Sequence, residues 1–227
     1  AREALDLARR NFSRFSFDLI YARPEQSSNA WRNELSAALD MAGGHLSLYQ
    51  LTIEKGTPFY SRHRDGEIIP PNETLASDLF DVTNGLAEAA GYLAYEVSNY
   101  ALPGEACRHN LAYWRYADYI GIGPGAHGRL TNTANGARAL RQHAKPETWL
   151  QAVEEKGHGS AQARTLEPSE CADEMLMMGL RLQEGVAVAR FHERTGLALE
   201  QAVRPGAIQR LSSGGFLSQD GRRLWAT

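Results

Sequence analysis

The 227-residue chain has only two cysteines and no apolar run that approaches the length of a membrane-spanning helix. Such a helix needs about 20 consecutive apolar residues, so we expect no membrane span. Cys107 and Cys171 lie far apart and form no CxxC pair, which excludes a secreted disulfide framework and a metal cluster held by this chain's own cysteines. A reducing compartment is favoured, and we predict a cytoplasmic protein.

A strong excess of one charge is also lacking, because 24 lysines and arginines face 27 acids, for a net charge of -3. No general field therefore attracts nucleic acid or an anionic membrane. What the chain does contain is 43% apolar and 22% charged residues, the composition of a folded globular protein of one or two domains. Disorder, collagen and coiled coil are excluded.

The first half of the chain alternates between strand and helix patterns. Residues 15–21, 46–53 and 92–100 are short, apolar and rich in aromatic or β-branched residues, which predicts buried strands. Residues 29–41 and 72–90 repeat apolar side chains at helical spacing and end at glycines. This order predicts a parallel α/β sheet with right-handed crossovers. Because three parallel strands leave open edges, we expect further strands upstream and interpret both ends of the chain as cuts.

The second half has a different pattern. Residues 104–140 are dense in glycine, histidine and aromatics and lack a sustained period. A hairpin is predicted at 216–226, with a type I′ turn at Asp220-Gly221. It follows helical patterns at 146–156, at 168–183 with Ser169 as N-cap, at 189–195 and at 205–213. We predict a small, mostly helical, winged-helix-like domain here.

Three acids stand on predicted strands. A carboxylate at Asp18, inside FSFDLIY, would be costly to bury without a partner. In parallel barrels the ligand site lies at the carboxyl ends of the strands, so Asp18 suits a sugar hydroxyl or an amine; it could instead pair with Arg23 as a structural acid. Glu54 and Glu96 stand near strand ends, where acid-base work and simple solvation are both open.

Histidines and aromatics are concentrated in HNLAYW, residues 109–114, and in GPGAHG, which contains His127. Flat rings and imidazoles suit a planar conjugated ligand or iron, while a packed core segment is the alternative. Residues 123–128 match GxGxxG, but Pro124 stands inside the loop and no helix follows, so we interpret this dinucleotide motif as a decoy. The glycines instead let backbone approach a bulky ligand or another strand.

The C-terminal region also carries more arginines than acids, and a winged helix can bind DNA. The excess is small and is not gathered on one helix face, so the sequence favours a solvated surface over nucleic-acid binding.

Four segments carry a family resemblance: DLIYARPEQ, HLSLYQLTIEKGTPFY, YEVSNYALPGEACRHNLAYWRYADYIGIGPGAHG and DEMLMMGLRLQEGV. In order and spacing they resemble the later part of the oxygen-independent coproporphyrinogen III oxidase-like radical SAM family, and they are most similar to its heme chaperone branch. The resemblance implies the C-terminal part of a partial (β/α)6 barrel, at residues 1–130 with the aromatic and glycine-rich connecting segment. It also implies a small helical domain of the HemN type at 131–227, truncated at its end.

The resemblance also implies ligands. Asp18 matches the aspartate that touches S-adenosylmethionine in this family, and Gln50, Leu51 and Thr52 are weaker candidates in the same cavity. The segment that faces the porphyrin in the oxidases contains His127, and the further heme or porphyrin candidates are His109, Tyr113 and Trp114. Within the first motif the usual Gly-Leu is replaced by Ala22 and Arg23, and a later Gly by Glu25, so the loop after Asp18 is expected to be less open.

The family's [4Fe-4S] cluster is held by CxxxCxxC, which this chain lacks. The chain therefore carries no metal ligand and no catalytic residue, and we do not expect it to be active alone. The complete protein is predicted to bind heme, the cluster and S-adenosylmethionine and to deliver heme to a hemoprotein such as a respiratory enzyme. One alternative is oxidative decarboxylation of porphyrinogen propionates by radical SAM chemistry in porphyrin biosynthesis. A second alternative is a winged-helix module for nucleic acid.

Overall fold

The computed structural model describes residues 2–132 and 136–227. Ala1, at which the predicted cut at the start of the chain falls, lies outside these ranges. The chain divides into two compact units, residues 1–107 and residues 108–227. No helix in the described ranges is both long enough and apolar enough to cross a membrane.

The first unit is an α/β layer structure with a four-stranded sheet in the order β1-β2-β4-β3. Its elements are α1 (Arg2–Asn11), β1 (Phe15–Tyr21), α2 (Ser28–Leu39), β2 (Gly44–Gln50), α3 (Pro58–Arg64), α4 (Glu73–Ala89), β3 (Leu93–Ala94) and β4 (Asn99–Ala101). The α/β class is thereby confirmed, and β1 and β2 pair in parallel as expected from the intervening helix.

The predicted third parallel strand at residues 92–100 is wrong. The chain reverses between β3 and β4, where Tyr95 N–H donates to the Asn99 carbonyl and the Glu96 carboxylate accepts from Ser98 N–H. The two strands are therefore antiparallel to each other, and β4 runs antiparallel to β2. The aromatic and β-branched residues of the segment favoured a continuous strand, and the hydrogen bonds that form this turn leave no pattern in the sequence.

The core of the first unit forms where one face of the sheet packs on α2 and α4. The fully buried side chains include Trp31, Leu35, Leu46 and Leu79, which lie at the helical and strand spacings predicted for a core. The start predicted for α4 is confirmed at Asn72, whose side-chain oxygen accepts from Leu75 N–H at 2.9 Å.

The second unit contains two three-stranded antiparallel sheets, in the orders β5-β6-β7 and β8-β10-β9. Its elements are α5 (Arg108–Trp114), β5 (His127–Asn132), β6 (Gly136–Gln142), α6 (Pro146–Lys156), β7 (Ser160–Thr165), α7 (Pro168–Gly179), β8 (Val186–Ala187), α8 (Val188–Thr195), α9 (Leu199–Ala202), α10 (Ala207–Ser213), β9 (Leu217–Gln219) and β10 (Arg223–Ala226). The helices followed by the β9–β10 hairpin have the predicted winged-helix-like order.

Several details of the second unit differ from the prediction. Gly221 has a positive φ but Asp220 does not, so the turn is not type I′; the Asp220 carboxylate instead accepts from the N–H groups of Arg222 and Arg223. Helix α7 is preceded by the N-cap Glu167, not Ser169, and ends before residue 183. The predicted domain boundary between residues 130 and 131 falls inside β5, which pairs with β6, so the compact units separate earlier.

Candidate functional site

The two faces of the sheet in the first unit differ in polarity. Phe15, Phe17 and Leu19 of β1 point toward the apolar side, while Ser16, Asp18 and Ile20 alternate to the other face. In the parallel register Asp18 lies beside Ser47, and Ser16 beside His45, so β2 continues this second face with polar groups. We call it the polar face and define it by Ser16, Asp18, His45, Ser47 and Asn99.

A buried histidine is the centre of one part of the polar face. The His45 ring is 7% exposed, with Nδ1 2.6 Å from the Ser16 hydroxyl and Nε2 2.9 Å from the Tyr95 hydroxyl. Burial lowers the pKa of His45, although the charge of Asp18 acts in the opposite direction. Burial therefore favours the neutral imidazole, which lies between two hydroxyl groups and can accept from one and donate to the other.

A carboxylate and an amide occupy the next part of the polar face. The Ser47 hydroxyl donates to Asn99 Oδ1 at 2.9 Å, and the Asn99 amide donates to the Glu96 carboxylate. Glu96 is 1% exposed, so the simple-solvation alternative does not hold for this acid, while Glu54 is exposed and fits that alternative. The bonds from Asn99 and Ser98 N–H compensate the burial of Glu96.

Asp18 is exposed rather than buried, so its predicted burial cost does not arise. The predicted pairing with Arg23 is absent, because the Arg23 guanidinium binds both carboxylate oxygens of Glu34. In the described part of the chain the Asp18 carboxylate forms no side-chain hydrogen bond. The carboxylate is thus available to accept from a hydroxyl or an amine of a ligand.

The weaker candidates lie at the carboxyl end of β2: Gln50 is its last residue, and Leu51 and Thr52 follow it. Leu51 N–H donates to the Tyr21 carbonyl at 2.8 Å, which keeps the segment beside the end of β1. The side chains of Gln50 and Thr52 are exposed. The structure therefore brings these residues to the strand ends near Tyr21, where barrel proteins place ligand sites.

In the second unit, α5 carries an aromatic cluster. The His109 ring meets Tyr113 edge-to-face at 4.7 Å between centroids, and Tyr113 lies 4.4 Å from Tyr119. His109 itself is exposed, while Tyr113 is half-buried. Two predicted candidates, His109 and Tyr113, are thereby in direct contact and present one imidazole to solvent.

Trp114 lies elsewhere, against a pocket of about 190 Å³ that Arg115, Glu184 and Arg223 also line. Its indole Nε1 is buried with no hydrogen-bond partner in the described residues, and the Arg181 guanidinium stands 4.7 Å above its ring. Arg115 binds Glu184 through two hydrogen bonds, which closes one side of the pocket. Trp114 and His127 line different pockets.

His127 begins β5 and is exposed. A Cβ on Gly121 would come within 2.2 Å of the His127 carbonyl oxygen, so the absence of a side chain at Gly121 lets the loop pack against the β5 backbone. The GxGxxG segment leads into this strand and not into a helix, which confirms that the dinucleotide motif is a decoy. The prediction that the glycines of residues 123–128 permit close backbone approach is confirmed at Gly128, where a Cβ would lie 3.2 Å from the Tyr119 carbonyl oxygen, but not at Gly123, where a Cβ would meet nothing within 4 Å.

Sequence reasoning missed most of the polar face. His45, Ser47 and Asn99 were not candidates, although the alternation in HLSLYQ places His45 and Ser47 on the same face as Asp18 once the parallel register is known. The signal was present as a period of two. It was hidden because the segment is uniformly buried and resembles a continuous apolar run.

The residues described here do not fit an iron-sulfur cluster. Such a cluster takes three closely spaced thiolates when one iron is to remain open. Cys107 is half-buried in the first unit, while Cys171 is buried in the core of the second. No group of three or more His, Cys, Asp or Glu able to hold a metal ion occurs in residues 2–132 and 136–227.

Arginines of the C-terminal region are largely engaged within the second unit. Arg194 binds Asp118 at 2.6 Å, Arg223 donates to the Glu184 carbonyl, and Arg190 donates to the Arg115 carbonyl. These contacts hold the helices and strands of the unit together.

Comparisons with known proteins give matches of three kinds, to a family model, to curated proteins and to a solved structure. The HemN C-terminal domain family matches residues 166–227. The chain is 35% identical over 216 residues to mitochondrial radical S-adenosyl methionine domain-containing protein 1 of Danio rerio, covering 93% of this chain and 49% of that protein. The structure of Escherichia coli coproporphyrinogen III oxidase, HemN, a radical SAM enzyme, superposes with a TM-score of 0.73 at 16% identity, over 99% of this chain and 54% of that one.

The fold and these matches place the chain among relatives of the coproporphyrinogen III oxidase-like radical SAM proteins, as the sequence motifs predicted. The chain is also similar to the heme chaperone HemW of Escherichia coli, with 36% identity over 200 residues, covering 88% of this chain and 50% of that protein. The chain spans about half the length of the curated relatives it matches. The resemblance to HemW is therefore confirmed for the later half of such proteins.

Proposed function

We propose that this chain is the C-terminal part of a radical SAM heme chaperone, a protein that binds heme and delivers it to a hemoprotein. The observation that carries the proposal is the similarity to proteins named heme chaperone HemW, which extends over 88% of this chain in Escherichia coli and 95% in Bacillus subtilis. A recipient such as a respiratory enzyme and a cytoplasmic location belong to the same proposal. Relatives named as mitochondrial make an organelle the alternative location.

Asp18 is the residue we assign to S-adenosylmethionine in the complete protein. Its carboxylate is exposed on the polar face and has the acceptor oxygens that a ribose hydroxyl or an amine requires. Gln50, Leu51 and Thr52 would contact the same ligand from the end of β2. When bound with a reduced cluster, S-adenosylmethionine supplies radical chemistry; the cluster's ligands are proposed to lie outside this chain.

For heme, the candidates are His127, His109, Tyr113 and Trp114. Imidazole nitrogen is an iron ligand, and aromatic faces stack on a planar macrocycle. His127 and His109 are exposed and can reach a ligand without rearrangement of the core. His127 is the first candidate because its backbone is packed against Gly121 and its position is thereby defined.

Heme titration of the chain tests this proposal. We expect a Soret shift and saturable binding, with weaker binding in His127→Ala or His109→Ala, because either change removes an exposed imidazole. His158→Ala, which removes another exposed histidine, is the matched control and is expected to behave as the parent. Unchanged spectra and affinity in both test variants would remove these histidines from the heme role, and no binding by the parent chain would reject heme binding altogether.

Asp18 needs the complete protein for its test. An Asp18→Asn variant is expected to bind S-adenosylmethionine more weakly, since the amide presents one oxygen where the carboxylate presents two. Asp81→Asn, another exposed acid of the same unit, is the matched control. Equal affinity of the Asp18 variant and the parent, measured by calorimetry, would remove Asp18 from the binding site.

The oxidase alternative has less support in this chain. The likeness to HemN is 16% in sequence and extends to the fold, whereas the chaperone matches are at 28–36% identity. The arginine contacts described above argue against the nucleic-acid alternative. Salt-dependent DNA affinity would support it, and absence of binding at low salt would reject it.

A further inference from the structure

The sheet β5-β6-β7 presents one row of polar side chains that leads from strand to strand. His127 on β5 is the register partner of Arg141 on β6, and Arg141 is the register partner of Gln162 on β7. Partners in register project to the same face, and neighbouring strands lie about 4.8 Å apart. We call His127, Arg141 and Gln162 the open row, because all three side chains are exposed.

The adjacent row on this face is covered by α7. Ala137 and Ala139 pack against the core to which α7 contributes, and Arg129 binds both carboxylate oxygens of Glu174. Arg164, at the other edge of the same row, binds Glu170. The two acids that α7 brings to this face are therefore already paired with arginines.

The open row keeps its positive charge. In the described ranges the side chains of Arg141, His127 and Gln162 form no hydrogen bond or ion pair with another side chain. Three arginines line one pocket of about 200 Å³, and two of them, Arg129 and Arg164, are paired with carboxylates, which leaves the charge of Arg141 uncompensated. Such a pocket has a net attraction for an anionic group.

The backbone under the open row is rigid. Gln142 N–H donates to the Ala126 carbonyl at 2.8 Å, and Tyr119 exchanges two backbone hydrogen bonds with Arg129. Together with the contact of Gly121 against His127, these bonds fix the position of the first residues of β5. A ligand that contacts the row therefore meets a preorganised surface and orders only side chains.

We propose that the open row binds a propionate carboxylate of the tetrapyrrole, with Arg141 as the anion-binding residue and Gln162 as an additional donor. The inference rests on the proposed heme function and names the part of the ligand that this surface recognises. A guanidinium binds a carboxylate through two parallel hydrogen bonds, which an uncharged ester cannot accept with the same strength. The pocket is smaller than the roughly 300–1,000 Å³ that encloses a whole ligand, so a peripheral carboxylate enters it while the ring lies at its mouth beside His127.

Heme and its dimethyl ester distinguish this role in the chain itself. We expect the parent to bind heme roughly tenfold more tightly than the ester in the same mild detergent, and Arg141→Gln to lose that preference by weakening heme binding alone. Arg138→Gln is the matched control: it removes an exposed arginine from the same strand, on the opposite face, and should leave both affinities unchanged. Thermal unfolding of both variants establishes that the fold is retained.

Two outcomes overturn the assignment and differ from each other. The carboxylate role is rejected, while heme binding stands, if the parent binds heme and Arg141→Gln binds it equally well. The same conclusion follows if Arg141→Gln lowers the affinity for heme and for the ester by the same factor. If the parent binds no heme, the proposed function fails and this assignment fails with it. An Arg141→Lys variant that keeps only part of the preference for heme over the ester would further support a role of the planar guanidinium in addition to that of its charge.

Discussion

The hydroxyl of Ser16 lies 2.6 Å from Nδ1 of His45, so β1 and β2 are joined by a side-chain hydrogen bond in addition to their backbone pairing. Burial lowers the pKa of His45 below its usual 6.5; nearby Arg14 acts in the same direction, and Asp18 and Glu96 oppose it. The unfolded chain therefore binds a proton at His45 more readily than the folded chain does. Stability is expected to fall as the pH is lowered from about 6.5 toward the folded-state pKa.

Urea unfolding at about pH 7.5 and about pH 5.5, on either side of the ordinary histidine pKa, measures this effect. The parent is expected to lose more stability over this range than His45→Gln, which cannot titrate. His63→Gln, a change at an exposed histidine of the same unit, should leave the parent's pH dependence in place. Equal loss in the parent and in His45→Gln would contradict the prediction.

A buried hydrogen bond between α2 and α4 gives a second prediction. Trp31 Nε1 donates to the Thr83 hydroxyl at 2.8 Å, and both side chains are fully buried. Thr83→Val retains the shape but leaves the indole N–H unsatisfied, which is expected to lower the free energy of unfolding by about 1–3 kcal/mol. Thr83→Ser keeps the hydroxyl and should lose less. A valine variant as stable as the parent in urea would show that this bond does not contribute.

Replacement of glycine by alanine is expected to have opposite effects on stability at two positions. Gly85 is exposed within α4, and a Cβ there meets nothing within 4 Å, so Gly85→Ala should stabilise the first unit by roughly 0.5–1 kcal/mol. A Cβ on Gly121 would collide with the His127 backbone, so Gly121→Ala should destabilise the second unit. Urea unfolding of the two variants is the measurement. Destabilisation by Gly85→Ala, or none by Gly121→Ala, would contradict these packing arguments.

Local sequence patterns predicted the elements whose burial alternates or whose ends are capped. Strand β1 was predicted with its observed bounds, since FSFDLIY is a short, apolar run rich in aromatic residues. Strand β7 was missed because its residues are almost all exposed and give no apolar signal. The reversal between β3 and β4 was missed because it depends on hydrogen bonds that the Glu96 carboxylate accepts, which no periodicity encodes.

The candidate site residues also divide into those that the sequence alone could identify and those that it could not. Asp18 and His127 could be selected from motifs, because a family resemblance names positions directly. His45 and Arg141 could not, because their significance depends on which residues lie beside them in the register: Ser16 in one sheet and His127 in the other. Pairing between strands that are distant in sequence is a tertiary property, and a single sequence does not report it.

The ion pair between Arg129 and Glu174 gives the last prediction. The two side chains are 19% and 21% exposed and share two hydrogen bonds, and Glu174 also accepts from the Tyr116 hydroxyl. Arg129 lowers the pKa of Glu174, so the pair's contribution is present above the ordinary glutamate pKa of 4.5 and is lost as the pH falls through the folded value. A double-mutant cycle with Arg129→Met and Glu174→Gln should give a coupling free energy of about 1–3 kcal/mol at neutral pH.

The same cycle at about pH 3, below the ordinary pKa, should give a smaller coupling, because the carboxylate is then increasingly protonated. Arg62 and Glu67, paired on the surface of the first unit with more than half of each side chain exposed, provide the matched control. Their coupling is expected to be at most about 0.5 kcal/mol, because water screens exposed charges. A coupling at Arg129 and Glu174 no larger than this surface value would mean that partial burial adds nothing to the pair, and that β5 is held against α7 by apolar packing alone.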